Sequence, residues 1–164
     1  MLFTGTETFL LTNNNSLYQI GGVNNYSSQN IREIKCLNGK NLSSLYHWPN
    51  STNKDLKIYL YALSTLDSTL YQYNIESESL SQVKFSKFKL KDFAITENQQ
   101  EYQWWASTEE GEIYKAMKHK GQGMPSEWQF QSVQSDTIGK IASGSRHMVV
   151  IGEDYQTESF QEGP

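Results

Sequence analysis

A nucleophile and a base lie two residues apart in Gly144-Ser145-Arg146-His147. Nucleophilic catalysis also needs a third group to orient the base, and no Gly-x-Ser-x-Gly elbow occurs to present a serine. His47 and His119 are far from His147, and the three form no His-x3-His pattern. Cys36 is the single cysteine. An intramolecular disulfide and a thiolate zinc cage are therefore both excluded. Gly139-Lys140 is followed by Ile141, with Gln134 where a phosphate loop has its first glycine, so that loop is rejected. Glu109 and Glu110 are adjacent acids ahead of Gly111 and read as turn residues rather than a catalytic carboxylate pair. The expectation is a non-enzymatic chain without catalytic, cofactor-binding or metal-binding residues.

Binding chemistry is better represented. Lys84, Lys87, Lys89 and Lys91 interleave with Phe85 and Phe88, and Lys115, Lys118 and Lys120 follow farther on. Clustered cations beside aromatic rings suit a phosphate backbone, and the plainer reading is a row of solvated strand positions. The formal net charge of -4 argues against the chain as a whole binding a polyanion. Trp104 and Trp105 point to opposite faces if they share a strand. Trp105 falls at a core position, and Trp104 is either packing between repeated elements or an interface anchor. Trp48, Pro49, Tyr46 and Met124 lie in loop-like sequence. The partner-binding candidates are Trp104, Trp48, Lys118, Lys120, Lys87 and Lys89.

With 164 residues and 13% aromatics, the chain is long enough for a packed core and too aromatic for a disordered one. Met1 leads into Leu2-Phe3-Thr4-Gly5 without a basic region, and no segment approaches the roughly 18 apolar residues of a membrane span. The expected location is cytoplasm or nucleus, neither secreted nor membrane-bound. The sequons beginning at Asn14, Asn25, Asn41 and Asn50 then read as chance occurrences in Asn/Ser-rich loops.

The elements that must position these residues are short strands. Trp105 to Tyr114 reads as a strand, a Glu-Glu-Gly turn and a return strand, with Gly111 supplying positive φ. Phe9 to Tyr18 matches it position for position, with Asn15 in the place of Gly111. A second hairpin runs from Leu56 to Tyr73 through Thr65-Leu66-Asp67-Ser68, one residue longer in the turn. Val149 to Phe160 is a looser fourth copy, with Glu158 at the return-strand position held by Tyr18, Tyr71 and Tyr114. Alternation from Leu80 to Ile95 predicts strand. Residues 23–30, 38–56 and 118–125 read as loops, and Ala142 to Ile151 as a glycine turn entering an apolar strand. Recurrence at roughly 40–50 residues, built from short strands, points to propeller blades.

These repeats resemble those of the regulator of chromosome condensation family. Gly144-Ser145-Arg146-His147 with Met148 to Ile151 matches the start of its repeat, Trp105 to Tyr114 its hairpin, and Gly121-Gln122-Gly123 with Val133, Ile138 and Ile141 its connection onward. In the other copies the glycine-x-x-histidine pair is missing or shifted. The resemblance implies an all-β propeller of four-stranded antiparallel blades, seven in the family, of which this chain carries about three and a half repeats. The approximate repeats are 1–37, 38–90, 91–135 and 136–162 of one propeller segment. It assigns structural roles to Gly144, His147, Gly111, Tyr114 and Tyr18, with His147 tying adjacent blades together. It implies a protein-interaction scaffold in a larger complex, whose partner supplies or covers further blades. It also allows a nucleotide exchange factor for a small GTPase, and the lysine-rich rim offers a further reading, a chromatin or nucleic-acid adaptor.

Overall fold

The computed structural model describes residues 2–3, 8–21, 31–48, 51, 54–97, 102–116, 124–125, 127–133, 138–143, 147–152 and 157–161. Among the described residues, fifteen strands form four sheets, each made of consecutive strands. The first contains β1 (Leu2–Phe3), β2 (Thr8–Leu11), β3 (Leu17–Ile20) and β4 (Ile31–Glu33). The second contains β5 (Ser44–His47), β6 (Tyr59–Ser64), β7 (Thr69–Asn74) and β8 (Leu80–Lys84). The third contains β9 (Leu90–Glu97), β10 (Tyr102–Thr108), β11 (Glu112–Ala116) and β12 (Trp128–Val133). The fourth contains β13 (Ile138–Ser143), β14 (His147–Gly152) and β15 (Thr157–Gln161). This all-β succession of antiparallel up-and-down sheets is a β-propeller segment.

The hairpin is repeated at one register. Leu10 pairs with Tyr18, Ala62 with Tyr71, Ala106 with Tyr114 and Val150 with Glu158. The turn residues fix that register. Asn15 has φ 60° and Gly111 φ 79°, so the two occupy the left-handed region at matching points of their turns. In the second copy the turn spans Thr65 to Ser68, and Ser68 takes the positive φ, 47°.

The molecule divides into two compact units, Met1–Gln82 and Val83–Pro164. In the first, Phe9, Leu17, Leu60, Ala62, Tyr71 and Tyr73 from the two sheets pack with Ile34, Leu37 and Leu42 into one core. Leu60, Tyr61, Ala62, Leu63 and Ser64 are all buried, because an inner strand of this unit has neighbours on both faces. Full burial of a side chain such as Leu60 contributes about 1.5–3 kcal/mol. A polar seam accompanies this core. Arg32 pairs with Glu78 and donates to Gln19 at 2.6 Å, while Asn38 accepts the Leu17 N–H at 3.2 Å and donates to Glu33 at 2.7 Å.

In the second unit Ala94, Trp105, Ile113, Ile141 and Val150 form a core drawn from both sheets. Asp92, only 6% exposed, accepts the backbone N–H of Ile141 at 2.9 Å and of its own neighbour Phe93 at 2.9 Å. Here a carboxylate on β9 ties one sheet to the first strand of the next.

Three sequence expectations need correction. Leu56 to Ile58 belong to a one-turn helix, α1 (Lys54–Ile58), rather than to the second hairpin's first strand. His47 Nε2 lies 2.7 Å from the Lys57 carbonyl there and Leu56 is buried. The stretch 38–56 is not all loop, since β5 lies within it and pairs with β6 from Ser44↔Leu63 to His47↔Leu60. The strand expected from Leu80 to Ile95 is two strands separated by a bend at 85–89. Spacing explains the bend: Val83 to Phe85 is a step of two, but Phe85 to Phe88 is a step of three, which a continuous strand cannot place on one face. The glycine turn at 144–146, the loop 23–30 and residues 117–123 lie outside the described residues.

Candidate binding site

The 85–89 bend returns the chain over β11 and β12. Phe85 meets Phe88 at 5.2 Å between ring centroids and Trp128 at 5.1 Å. Phe88 stacks on Tyr114 at 4.2 Å with planes 18° apart, and Tyr114 meets Phe130 edge-on at 5.8 Å. Such offset and edge arrangements are favourable ring geometries. A one-residue irregularity in the β11–β12 register follows Ile113, so that Tyr114 pairs with Phe130. Irregularities of this kind re-aim side chains. Between the bend and the start of β12 lies an open cavity of about 540 Å³, lined by Lys84, Phe85, Lys87, Phe88, Tyr114 and Trp128 together with Glu127 and others.

Polar groups share the lining with the rings: Lys84, Ser86, Lys87, Glu127 and Gln129 all border it. The Trp128 indole N–H is buried and has no hydrogen-bond acceptor among the described residues, whereas the Trp105 indole donates to Thr96 at 3.0 Å. A buried donor without a partner costs about 1–3 kcal/mol, and an acceptor brought by a ligand would recover it. Lys84 and Lys87 are exposed, and no ion pair involves either among the described residues. The Tyr114 hydroxyl donates to Glu112 at 3.0 Å. Burial, followed by that carboxylate, pushes the Tyr114 phenol above its ordinary value.

The sequence candidates divide accordingly. Lys87 joins Lys84, Phe85 and Phe88 at the cavity. Lys89 lies 3.7 Å from Glu109 at the third hairpin tip. Lys115 is used elsewhere, its ammonium 4.9 Å over the Trp105 ring. Trp104 is 5% exposed and lies 5.4 Å from Phe93, which leaves it little surface to offer a partner. Trp48 lies in the first unit, stacked on Tyr46 at 6.2 Å and edge-on to Tyr61 at 5.6 Å. Tyr18 and Tyr114 occupy equivalent return-strand positions, and Gly111 closes its turn. Gly144, Lys118 and Lys120 fall outside the described residues, and of His147 only the backbone pairing with Gln161 is described. Sequence reading misses Trp128 and Glu127. Trp128 begins a strand whose following residues alternate Gln and Phe, a weak signal beside the stronger hairpins.

Among the described residues no group of three or more His, Cys, Asp or Glu is placed to hold a metal ion. No helix among them is long and apolar enough to cross a membrane.

No family model and no curated protein sequence matches the chain. Solved structures do, and they place it in the β-propeller class. The WD40 β-propeller domain of Doa1 aligns at TM-score 0.65 and 8% identity, covering 99% of this chain and 49% of that one. A mitotic checkpoint complex aligns at 0.60 and 8%, covering 96% and 46%. Virginiamycin B lyase from Staphylococcus aureus aligns at 0.53 and 8%, covering 90% and 49%. The chain thus spans about half the length of each of these proteins. The similarity supports a propeller without singling out the regulator of chromosome condensation repeats.

Proposed function

We propose that this propeller segment is a non-enzymatic scaffold that binds a protein partner. The observation that carries the reading is the open aromatic cavity held between a bend and a sheet edge. On a frame of hydrogen-bonded strands it combines ring surface, an unused N–H and two cations that make no ion pair among the described residues. Aromatic residues are enriched at protein interfaces, where large rigid surfaces bind at low entropic cost. The likeness to a WD40 domain and to a checkpoint complex supports the same reading, and the divergent repeats favour the regulator of chromosome condensation type of propeller.

The test is site-specific photo-crosslinking of the full chain in extracts of its own host cells. A photoreactive residue is placed in turn at positions 48, 66 and 87. Discrete protein adducts from at least one position are expected. If none of the three yields an adduct, the scaffold reading fails.

A further inference from the structure

We infer that the cavity between the 85–89 bend and β12 takes an acidic segment of a partner protein. One large apolar side chain of that segment enters among Phe85, Phe88 and Trp128, and flanking carboxylates meet Lys84 and Lys87. The inference rests on the protein-binding reading above and gives it a location and a chemistry.

Four observations select this occupant. The volume, about 540 Å³, lies within the roughly 300–1,000 Å³ range of cavities that enclose a compact ligand. Phe85, Phe88, Tyr114 and Trp128 give it an aromatic wall, which suits one apolar side chain, while the polar residues around them suit its flanking groups. The Trp128 N–H lacks an acceptor among the described residues, and a peptide carbonyl or carboxylate supplies one. Lys84 and Lys87 make no ion pair among the described residues, which fits a segment carrying negative charge. An aromatic cage can also hold a cation, but these two ammonium groups oppose one.

Two other macromolecular modes fit less well. A single-stranded nucleic acid needs ring faces on which bases can stack. The near-parallel pair here, Phe88 and Tyr114, is closed on itself, and Phe85 and Trp128 meet at 60°. Strand addition along β12 needs free edge carbonyls, but the Gln131 side chain donates to the carbonyls of Gln129 and Phe130 at 3.3 and 3.1 Å.

The experiment selects from a random peptide display library against the full chain, in parallel with Lys84→Glu/Lys87→Glu and with Trp128→Phe. The phenylalanine keeps the ring packing and removes the N–H. The ¹⁵N indole resonances are then followed as a selected peptide is added. Wild type is expected to enrich peptides with aspartate or glutamate flanking one large apolar residue. The Trp128 indole signal shifts while that of Trp105 stays, which also reports that the fold is intact. The double charge reversal abolishes the enrichment, and Trp128→Phe weakens binding about three- to tenfold. Equal enrichment on wild type and variants overturns the cavity site while leaving the scaffold reading standing. Enrichment of basic peptides, or no enrichment, overturns the inference, and the scaffold reading is then judged by the crosslinking alone. A labelled oligouridine that binds wild type more tightly than the selected peptides and loses affinity on charge reversal puts nucleic acid in the partner's place.

Discussion

Asp92 shows how much one side chain can hold. It is buried and accepts two backbone N–H groups, one of them on the next sheet. Asp92→Ala leaves the buried Ile141 donor unpaired and is expected to cost about 1–3 kcal/mol in a urea unfolding curve. Asp92→Asn has one amide oxygen for two N–H groups that Asp92 accepts on separate oxygens, so it should recover only part of that loss. The family resemblance gives the role of tying blades together to His147, and Asp92 escapes notice because an acid beside Lys91 and Phe93 looks like any surface residue on an alternating strand. Tyrosines carry a second residue-scale effect. Burial raises the phenols of Tyr71, Tyr73 and Tyr114 above the ordinary value near 10. A raised folded-state value means that the neutral form is favoured by folding. The stabilisation is complete below the unfolded value and is lost as pH climbs past it through the raised folded values. Stability measured by denaturant midpoint should therefore fall above about pH 10, with a shallower fall in Tyr71→Phe.

At the scale of the element, the hairpins are legible in the sequence, while outer strands such as β5 and β12 are not. A hairpin advertises itself through its turn, because only a few residues tolerate positive φ, and Asn15 and Gly111 mark equivalent points by residue type alone. The same logic predicts that Asn15→Ala destabilises by about 1 kcal/mol, because alanine keeps the Cβ in the left-handed region and loses the polar side chain that eases it. Asn15→Gly should remain close to wild type on thermal unfolding. By contrast β5, with all four residues half-buried, shows no alternation and reads as loop. β12 presents exposed residues, so hydrophobic period says little about it, whereas β8 falls within the alternating stretch from Leu80 and is legible. The binding site is half legible for the same reason. Lys84, Phe85, Lys87 and Phe88 stand out as a local cluster. Tyr114 reads only as framework and Trp128 carries no mark, because only the return of the chain across β11 and β12 brings them in.

For the molecule as a whole, repetition makes the class readable while dilution obscures the family. Each unit has its own apolar core, so each should respond to its own truncations. Leu60→Ala is expected to cost about 2–5 kcal/mol. Hydrogen exchange should show the loss as faster exchange in β2, β3, β6 and β7, whose residues share that core. Exchange that rises only at the chain ends would contradict this assignment of the core. The two units also differ in their polar ties. The first relies on several side chains, among them Arg32 and Asn38, and the second uses a buried carboxylate.

Gln131 has a consequence for how the protein behaves when concentrated. Its amide covers two carbonyls on the outer strand of the third sheet, beside Phe130, which is 48% exposed. An outer strand with open carbonyls and an exposed aromatic residue is a template for pairing with another chain. Replacing Gln131 with valine uncovers both carbonyls and raises β-propensity at the same place. Q131V is expected to form growing aggregates with a concentration-dependent lag, followed by light scattering, where wild type and Q131K stay clear. A side chain with no part in any core would then govern the molecule's colloidal lifetime.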